Sequence, residues 1–349
     1  MLLSAPIQHR NFEIAAKLSK VHAVHNSQDS VIFVTGPSGA GKSTLRRHLL
    51  TSLYGPPESW PENQVLITSA RATNADSGFF SSKDFYLRLL HGLGDPFRGR
   101  GVDAAITRSV DSDTREFLAE PMWSSLRVSM TETRIRRAFE QLARALRLKA
   151  ILVDEAQSMC LTHLNRDPSN HLESLKCLAE ELGIMIYMFG TYDLLKIWNH
   201  SSQLNRRSDL IHLPRYDDSI EGDRDAFFSV LRMLGLAIPL EDFAVLSHHA
   251  EEILRWTYGV IGEVAGLFKR ACVAAFAEGS EFVKWDHIKG AAYTPAQLKT
   301  LRDEIAEGEA LILGELKGQA ISTNTGAKKF SGPRPGRRKP GRDGCGARA

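Results

Sequence analysis

The chain has 349 residues, 43% of them hydrophobic and 24% charged, the balance of an ordinary folded protein with room for two domains. No apolar run is long enough for a membrane span, and the first residues lack a charged-then-apolar leader, so no membrane or secreted protein is expected. The formal charge of +3 is too small to mark the whole chain as a basic nucleic-acid-coating module.

Residues 11–24 read as an amphipathic helix, with Phe12, Ile14, Ala15, Leu18 and Val21 on its apolar side. A polar break leads to the β-branched strand Val31-Ile32-Phe33-Val34-Thr35. There follow Gly36-Pro37-Ser38-Gly39-Ala40-Gly41-Lys42-Ser43 and a helix-like run from Thr44. Strand, glycine-rich loop and helix in that order are the context of a phosphate-binding P-loop. Glycines let successive backbone N–H groups point at one anion, and the helix N-terminus adds further donors and its dipole. Residues 36–44, through Thr44, are thus the candidate nucleotide cradle. Lys42 is placed for the β- and γ-phosphates of ATP or GTP, and Ser43 for Mg²⁺.

Residues 65–68 are a second strand candidate, and residues 84–91 a helix. Residues 92–113 read as an irregular excursion that includes Arg98, Arg100 and Arg108. Across 71–130 eight basic residues balance eight acidic ones, so charge there names no partner. Residues 131–148 form a helix with Ile135, Phe139, Leu142 and Leu146 on one face. Arg134, Arg136, Arg137, Arg144 and Arg147 lie on the other, either as a duplex-DNA contact or as a solvated face. The run Ala150-Ile151-Leu152-Val153 then delivers Asp154-Glu155-Ala156-Gln157, which is how a buried parallel strand presents acids at its C-terminal edge. Asp154 is the candidate metal-shell carboxylate, and Glu155 is the group that would orient the attacking water.

Beyond these come a helix over 171–182, a strand over 184–189, and Gly190-Thr191. Thr191 is placed either to sense the γ-phosphate or to cap the helix over 192–198. Arg206 and Arg207 precede a last strand over 210–213, as surface charge or as a finger reaching a neighbouring subunit. After Asp217 the composition turns helical, with candidate helices over 220–234, 241–256, 263–278 and 284–291, and a final one from Thr294-Pro295 to about Lys317. Residues 321–349 carry eight lysines and arginines against the single acid Asp343, which leaves the rest of the chain net acidic. Rich in glycine and proline, that tail is predicted to be disordered. Cys160, Cys177, Cys272 and Cys345 have no paired metal spacing and read as thiols in a reducing compartment, the cytoplasm.

Alternating strands and helices followed by an all-helical segment predict an α/β fold, a parallel P-loop sheet flanked by helices. The expected divisions are an ATPase domain over 1–217, a helical lid over 218–292, a C-terminal helix over 293–320 and the basic tail over 321–349. With GPSGAGKS, ILVDEAQ, the Gly190-Thr191 strand end, Gln203 to Arg207 followed by HLPRY, and the lead-in His9-Arg10-Asn11-Phe12, the chain resembles the AAA+ ATPases. Within them it is similar to the transposition regulators TniB and TnsC and the related helicase-loader and initiator group, over about residues 5–292. The resemblance implies an ATP-dependent, DNA-bound homo-oligomer, a ring or filament, that recruits or regulates a transposase and works with a target-selection protein. It also implies Lys42 with Ser43 and Thr44 on phosphate and metal, Asp154 and Glu155 as the acidic pair, Thr191 as the first sensor, and Arg206 or Arg207 as the arginine finger. Glu263 stands near where many AAA+ proteins place an arginine. A replication loader or a nucleotide switch in anti-phage defence is the alternative reading. A small-molecule phosphotransferase is disfavoured, having no use for a trans-acting arginine.

Overall fold

The computed structural model describes residues 9–25, 30–74, 78–94, 130–162, 167–198 and 208–313. At its centre is a five-stranded, all-parallel sheet of β1 (Val31–Thr35), β2 (Ile67–Arg71), β3 (Ala150–Asp154), β4 (Met185–Gly190) and β5 (Ser208–His212), in the order β2-β3-β4-β1-β5. Parallel pairing puts every strand's C-terminal end on one edge, and β1, in the interior of the sheet, opens there into the glycine-rich loop.

Side chains alternate across each strand and divide two apolar layers. Val31, Phe33, Ile151, Val153, Ile186 and Met188 face α3 (Ser82–Gly92), α4 (Glu132–Ala145) and α5 (Ser169–Leu182), where Leu89, Phe139 and Leu175 meet them. Ile32, Val34, Leu152, Tyr187 and Phe189 face the opposite way, onto Phe12 and Ala15 of α1 (Arg10–His25) and Leu45 and Leu49 of α2 (Lys42–Ser52). Burial on both faces explains why β1, β3 and β4 read as apolar runs in the sequence.

After α6 (Asp193–Trp198) and β5, the chain builds a second apolar cluster among helices. These are α7 (Asp223–Gly235), α8 (Ala244–His248), α9 (Ala250–Thr257), α10 (Ile261–Ala277) and α11 (Trp285–Gly290), around Phe227, Leu231, Ile253, Leu267 and Phe268. The last helix, α12 (Pro295–Leu313), packs back against the sheet part. Leu311 meets Tyr192 and Leu195, and Glu309 pairs with Arg215 at 3.0 Å.

Three sequence expectations are corrected. In α1, Ile14, Leu18 and Val21 face outward, 41–49% exposed, because Phe12, Ala15, Ala16 and Ser19 form the face that the sheet accepts. The second strand begins at Ile67 instead of Val65 and runs on past Thr68 through Ser69, Ala70 and Arg71, residues that pair with β3 although their composition is not strand-like. The helix expected over 241–256 is two helices, broken at His249, whose φ of −113° leaves the helical range.

Candidate functional site

The loop after β1 owes its shape to backbone geometry few residues adopt. Gly39 and Gly41 have φ of 79° and 98°, in the left-handed region that favours glycine. Gly41 is the N-cap of α2, and its carbonyl receives the first helical bond, from Leu45 N–H at 2.9 Å. The N–H groups of Lys42, Ser43 and Thr44 therefore have no helical carbonyl ahead of them and open toward the loop. Lys42 Nζ donates to the carbonyls of Gly36 at 2.8 Å and Pro37 at 2.7 Å, lying across the loop rather than out in solvent. Burial pushes its pKa down to about 8, against the opposing pull of Glu155, Asp154 and Glu304.

Asp154 ends β3 directly beneath this loop. One oxygen, Oδ1, lies 3.4 Å from the Ser43 hydroxyl and accepts the Glu155 N–H at 3.1 Å. The other, Oδ2, accepts from Nε of Arg46 at 3.1 Å, while Arg46 Nη1 donates to Ser69 on β2 at 2.6 Å. Arg46 and Asp154 are both buried, so this ion pair fixes the carboxylate's rotamer and leaves Oδ1 turned to Ser43. Glu155 follows with φ of 51°, left-handed backbone held by a non-glycine residue at the point where the strand turns into a 3-10 segment over Ala156–Cys160. Its carboxylate accepts from Nε2 of Gln157 at 2.5 Å and stands 3.6 Å from the Arg71 guanidinium at the end of β2. At the end of β4, Thr191 uses its N–H to reach Oε1 of Gln157 at 3.3 Å.

These groups suit a nucleotide with a divalent cation. The donors on the loop side are backbone N–H groups and an ammonium, matched to phosphate; those opposite are a hydroxyl and a carboxylate, hard oxygens matched to Mg²⁺. A Cβ at Gly41 would enter open space, so nothing of the protein fills the cradle there. Among the described residues no cluster of three or more His, Cys, Asp or Glu could hold a metal by itself. A cation bound here would complete its shell from phosphate and water, as Mg²⁺ commonly does.

The helical part reaches this loop directly. Gly262, in the first turn of α10, donates its N–H to the Gly39 carbonyl at 2.8 Å, and a Cβ on Gly262 would fall 2.6 Å from that oxygen. Contact this close needs glycine on the helix side. Glu263 follows in the same turn.

The structure thus brings Gly36, Pro37, Ser38, Gly39, Ala40, Gly41, Lys42, Ser43, Thr44, Asp154, Glu155 and Thr191 to one edge of the sheet. Arg134, Arg137 and Arg144 lie apart from it, exposed on α4, with Arg144 Nη2 also 3.3 Å from the Glu181 carbonyl. Arg136, expected on the same basic face, turns inward to Glu140 at 2.7 Å and Ser174 at 3.1 Å. Arg98, Arg100, Arg108, Arg206 and Arg207, with the tail over 321–349, fall outside the described residues. Sequence reading missed Arg46, Arg71 and Gln157. Arg46 carries a usable signal: it sits beside Leu45 and three residues before Leu49, on the face of α2 that enters the core.

A family model described as an AAA domain matches residues 24–198, half of the chain. No curated protein matches it. Among solved structures, the chain is similar to the Walker-type ATPase PABY2304 of Pyrococcus abyssi, with 16% identity over 90% of this chain and 78% of that one and a TM-score of 0.47. It is similar also to Aeropyrum pernix ORC2 in its ADP form, with 16% identity over 82% and 69% of the two chains and a TM-score of 0.49. The Thermotoga maritima RuvB Holliday junction branch migration motor gives 14% identity over 82% and 68%, with a TM-score of 0.42. Half its length matched by one family, and that half built as a parallel sheet opening into a glycine-rich phosphate loop, the chain belongs to the AAA domain family and is a P-loop ATPase.

Proposed function

We propose that this ATPase is a regulator of transposition of the TniB/TnsC kind: it binds ATP and Mg²⁺, assembles as a homo-oligomer on duplex DNA, and recruits or regulates a transposase, together with a target-selection protein. The observation that carries this reading is a joint. Two of the softer sequence marks of that group, His9 to Phe12 and His212 to Tyr216, are some 200 residues apart yet lie against each other. His9 Nδ1 meets the Tyr216 hydroxyl at 3.0 Å, Asn11 donates to the Pro214 carbonyl at 3.2 Å, and Arg10 pairs with Asp223 of α7. The joint sits where the sheet part meets the helices after residue 217, which act in this proposal as a lid.

Within the site Lys42 and the N–H groups of 39–44 hold the phosphates, and Ser43 and Asp154 hold the metal. Glu155 orients the attacking water, and Thr191 senses the γ-phosphate. Bound Mg²⁺ neutralises charge on the phosphate oxygens. Arg206 or Arg207 serves as a finger in a neighbouring subunit's site. DNA contact comes from Arg134, Arg137 and Arg144, with Arg98, Arg100 and Arg108. Each subunit offers modest charge, so ATP-driven assembly supplies affinity by adding contacts along the duplex.

Electron microscopy of the full chain with and without duplex DNA and ATP, paired with duplex binding at moderate salt, tests this. ATP-dependent assemblies on DNA are the expected result. A monomer that binds duplex equally well without ATP would overturn it and leave the basic tail as the source of binding.

A further inference from the structure

We infer that Gln157 is a positioning residue for hydrolysis: it sets the Glu155 carboxylate and ties its orientation to the end of β4. This rests on the reading of Glu155 as the group that orients water. The third and fourth residues of Asp154-Glu155-Ala156-Gln157 have no part in holding phosphate or metal, yet Gln157 is built into the site. Its amide is fixed from both sides. Oε1 takes the Thr191 N–H at 3.3 Å, a group that only donates, so the amide must turn its nitrogen the other way. There it meets Glu155 Oε2 at 2.5 Å, a group that only accepts. The two bonds enforce one another.

The surroundings leave little room for another arrangement. A Cβ on Gly190 would lie 2.9 Å from Oε1 of Gln157 and 3.3 Å from its backbone nitrogen, so β4 ends in glycine where the amide passes. Ala156, between the two polar residues, is fully buried and anchors the 3-10 segment under the sheet edge. Glu155 itself sits in left-handed backbone, a conformation that neighbours must hold. Arg71 stands 3.6 Å from the second carboxylate oxygen, an attraction along β2 without the directional hold of a hydrogen bond at 2.5 Å. Movement of the β4 end that carries Thr191 is therefore passed to Glu155 through one amide. The Gly190-Thr191 step and the Glu155 carboxylate form a single unit.

The test compares ATP turnover and ATP affinity of the full chain with Mg²⁺. Gln157→Leu should lower kcat about 10- to 100-fold, the scale of a misplaced catalytic group, with ATP affinity within about twofold of wild type. Gln157→Glu keeps the acceptor for Thr191 and the side-chain length but opposes a like charge to Glu155, and should lower kcat as much. On a Glu155→Gln background neither change should slow hydrolysis more than about twofold further, because Gln157 acts only through Glu155. Losses that multiply on that background, a parallel loss of ATP affinity, or wild-type kcat in Gln157→Glu would each overturn the inference. If Glu155→Gln alone left the rate untouched, the underlying reading of Glu155 would fail instead.

Discussion

Arg46 and Asp154 show how much of this site is settled by one buried charge pair. Removing the arginine alone would leave a carboxylate below the P-loop without its partner, and breaking a buried pair from one side typically costs about 3–5 kcal/mol. Arg46→Met should therefore lower the melting temperature sharply. Arg46→Met with Asp154→Asn, which removes both charges, should recover most of it. Thermal unfolding of the two variants checks this; equal destabilisation would mean that the helix packing around Arg46, and not the pair, is what matters. At this scale the sequence was legible in which residues gather at the sheet edge, as with Lys42, Ser43, Asp154 and Glu155. It was silent where the role comes from a partner brought in by the fold. The spacing of Arg46 marks it as core-facing on α2, but its role appears only when β2 and β3 place Ser69 and Asp154 beside it.

Among the elements, the apolar runs of β1, β3 and β4 are self-evident because a strand covered on both faces needs no polar side. β2 is different. Its Thr68 and Ser69 are buried by the strand beside them and by α3, a tertiary effect that local composition does not carry. The exposed stripe of α1 has the same origin: two apolar faces compete in the sequence, and the one with small Ala15 and Ala16 lets the helix lie close to the sheet. The start of α1 also carries a pH dependence. His9 Nδ1 accepts from the Tyr216 hydroxyl and the Phe12 N–H, and burial, helped by the charge of Arg10, lowers its pKa to about 4. His212, bonded to the Tyr192 hydroxyl at 2.9 Å, is likewise pushed down to about 4 by burial. Both are neutral in the fold but take up a proton near pH 6.5 when unfolded, so the unfolded chain binds more protons between pH 6.5 and pH 4. Stability is thus fully present above that window and falls on acidification, by up to about 1.4 kcal/mol per pH unit for each histidine. His9→Gln, which can still accept a hydrogen bond but does not titrate, should flatten the decline in melting temperature. An unchanged slope would show that His9 is solvated and ordinary.

Taken as a whole molecule, the chain is a parallel sheet whose C-terminal edge gathers the chemistry and a helical part that touches the same edge through Gly262. Both parts were readable from the order of strand-like and helix-like segments. Their contact was not, since it depends on two glycines, Gly39 and Gly262, meeting backbone to backbone. The return of α12 onto Tyr192 and Leu195, which brings Glu304 into the field of Lys42, was equally hidden. We propose that this edge binds ATP through the loop and hydrolyses it through the acids at the end of β3. ATP binding and ATP turnover measured side by side in wild type, Lys42→Ala and Glu155→Gln decide it. Glu155→Gln should bind ATP as wild type does and turn it over at least about 100-fold more slowly, whereas Lys42→Ala should lose binding itself. Wild-type turnover in Glu155→Gln, or wild-type affinity in Lys42→Ala, would contradict it.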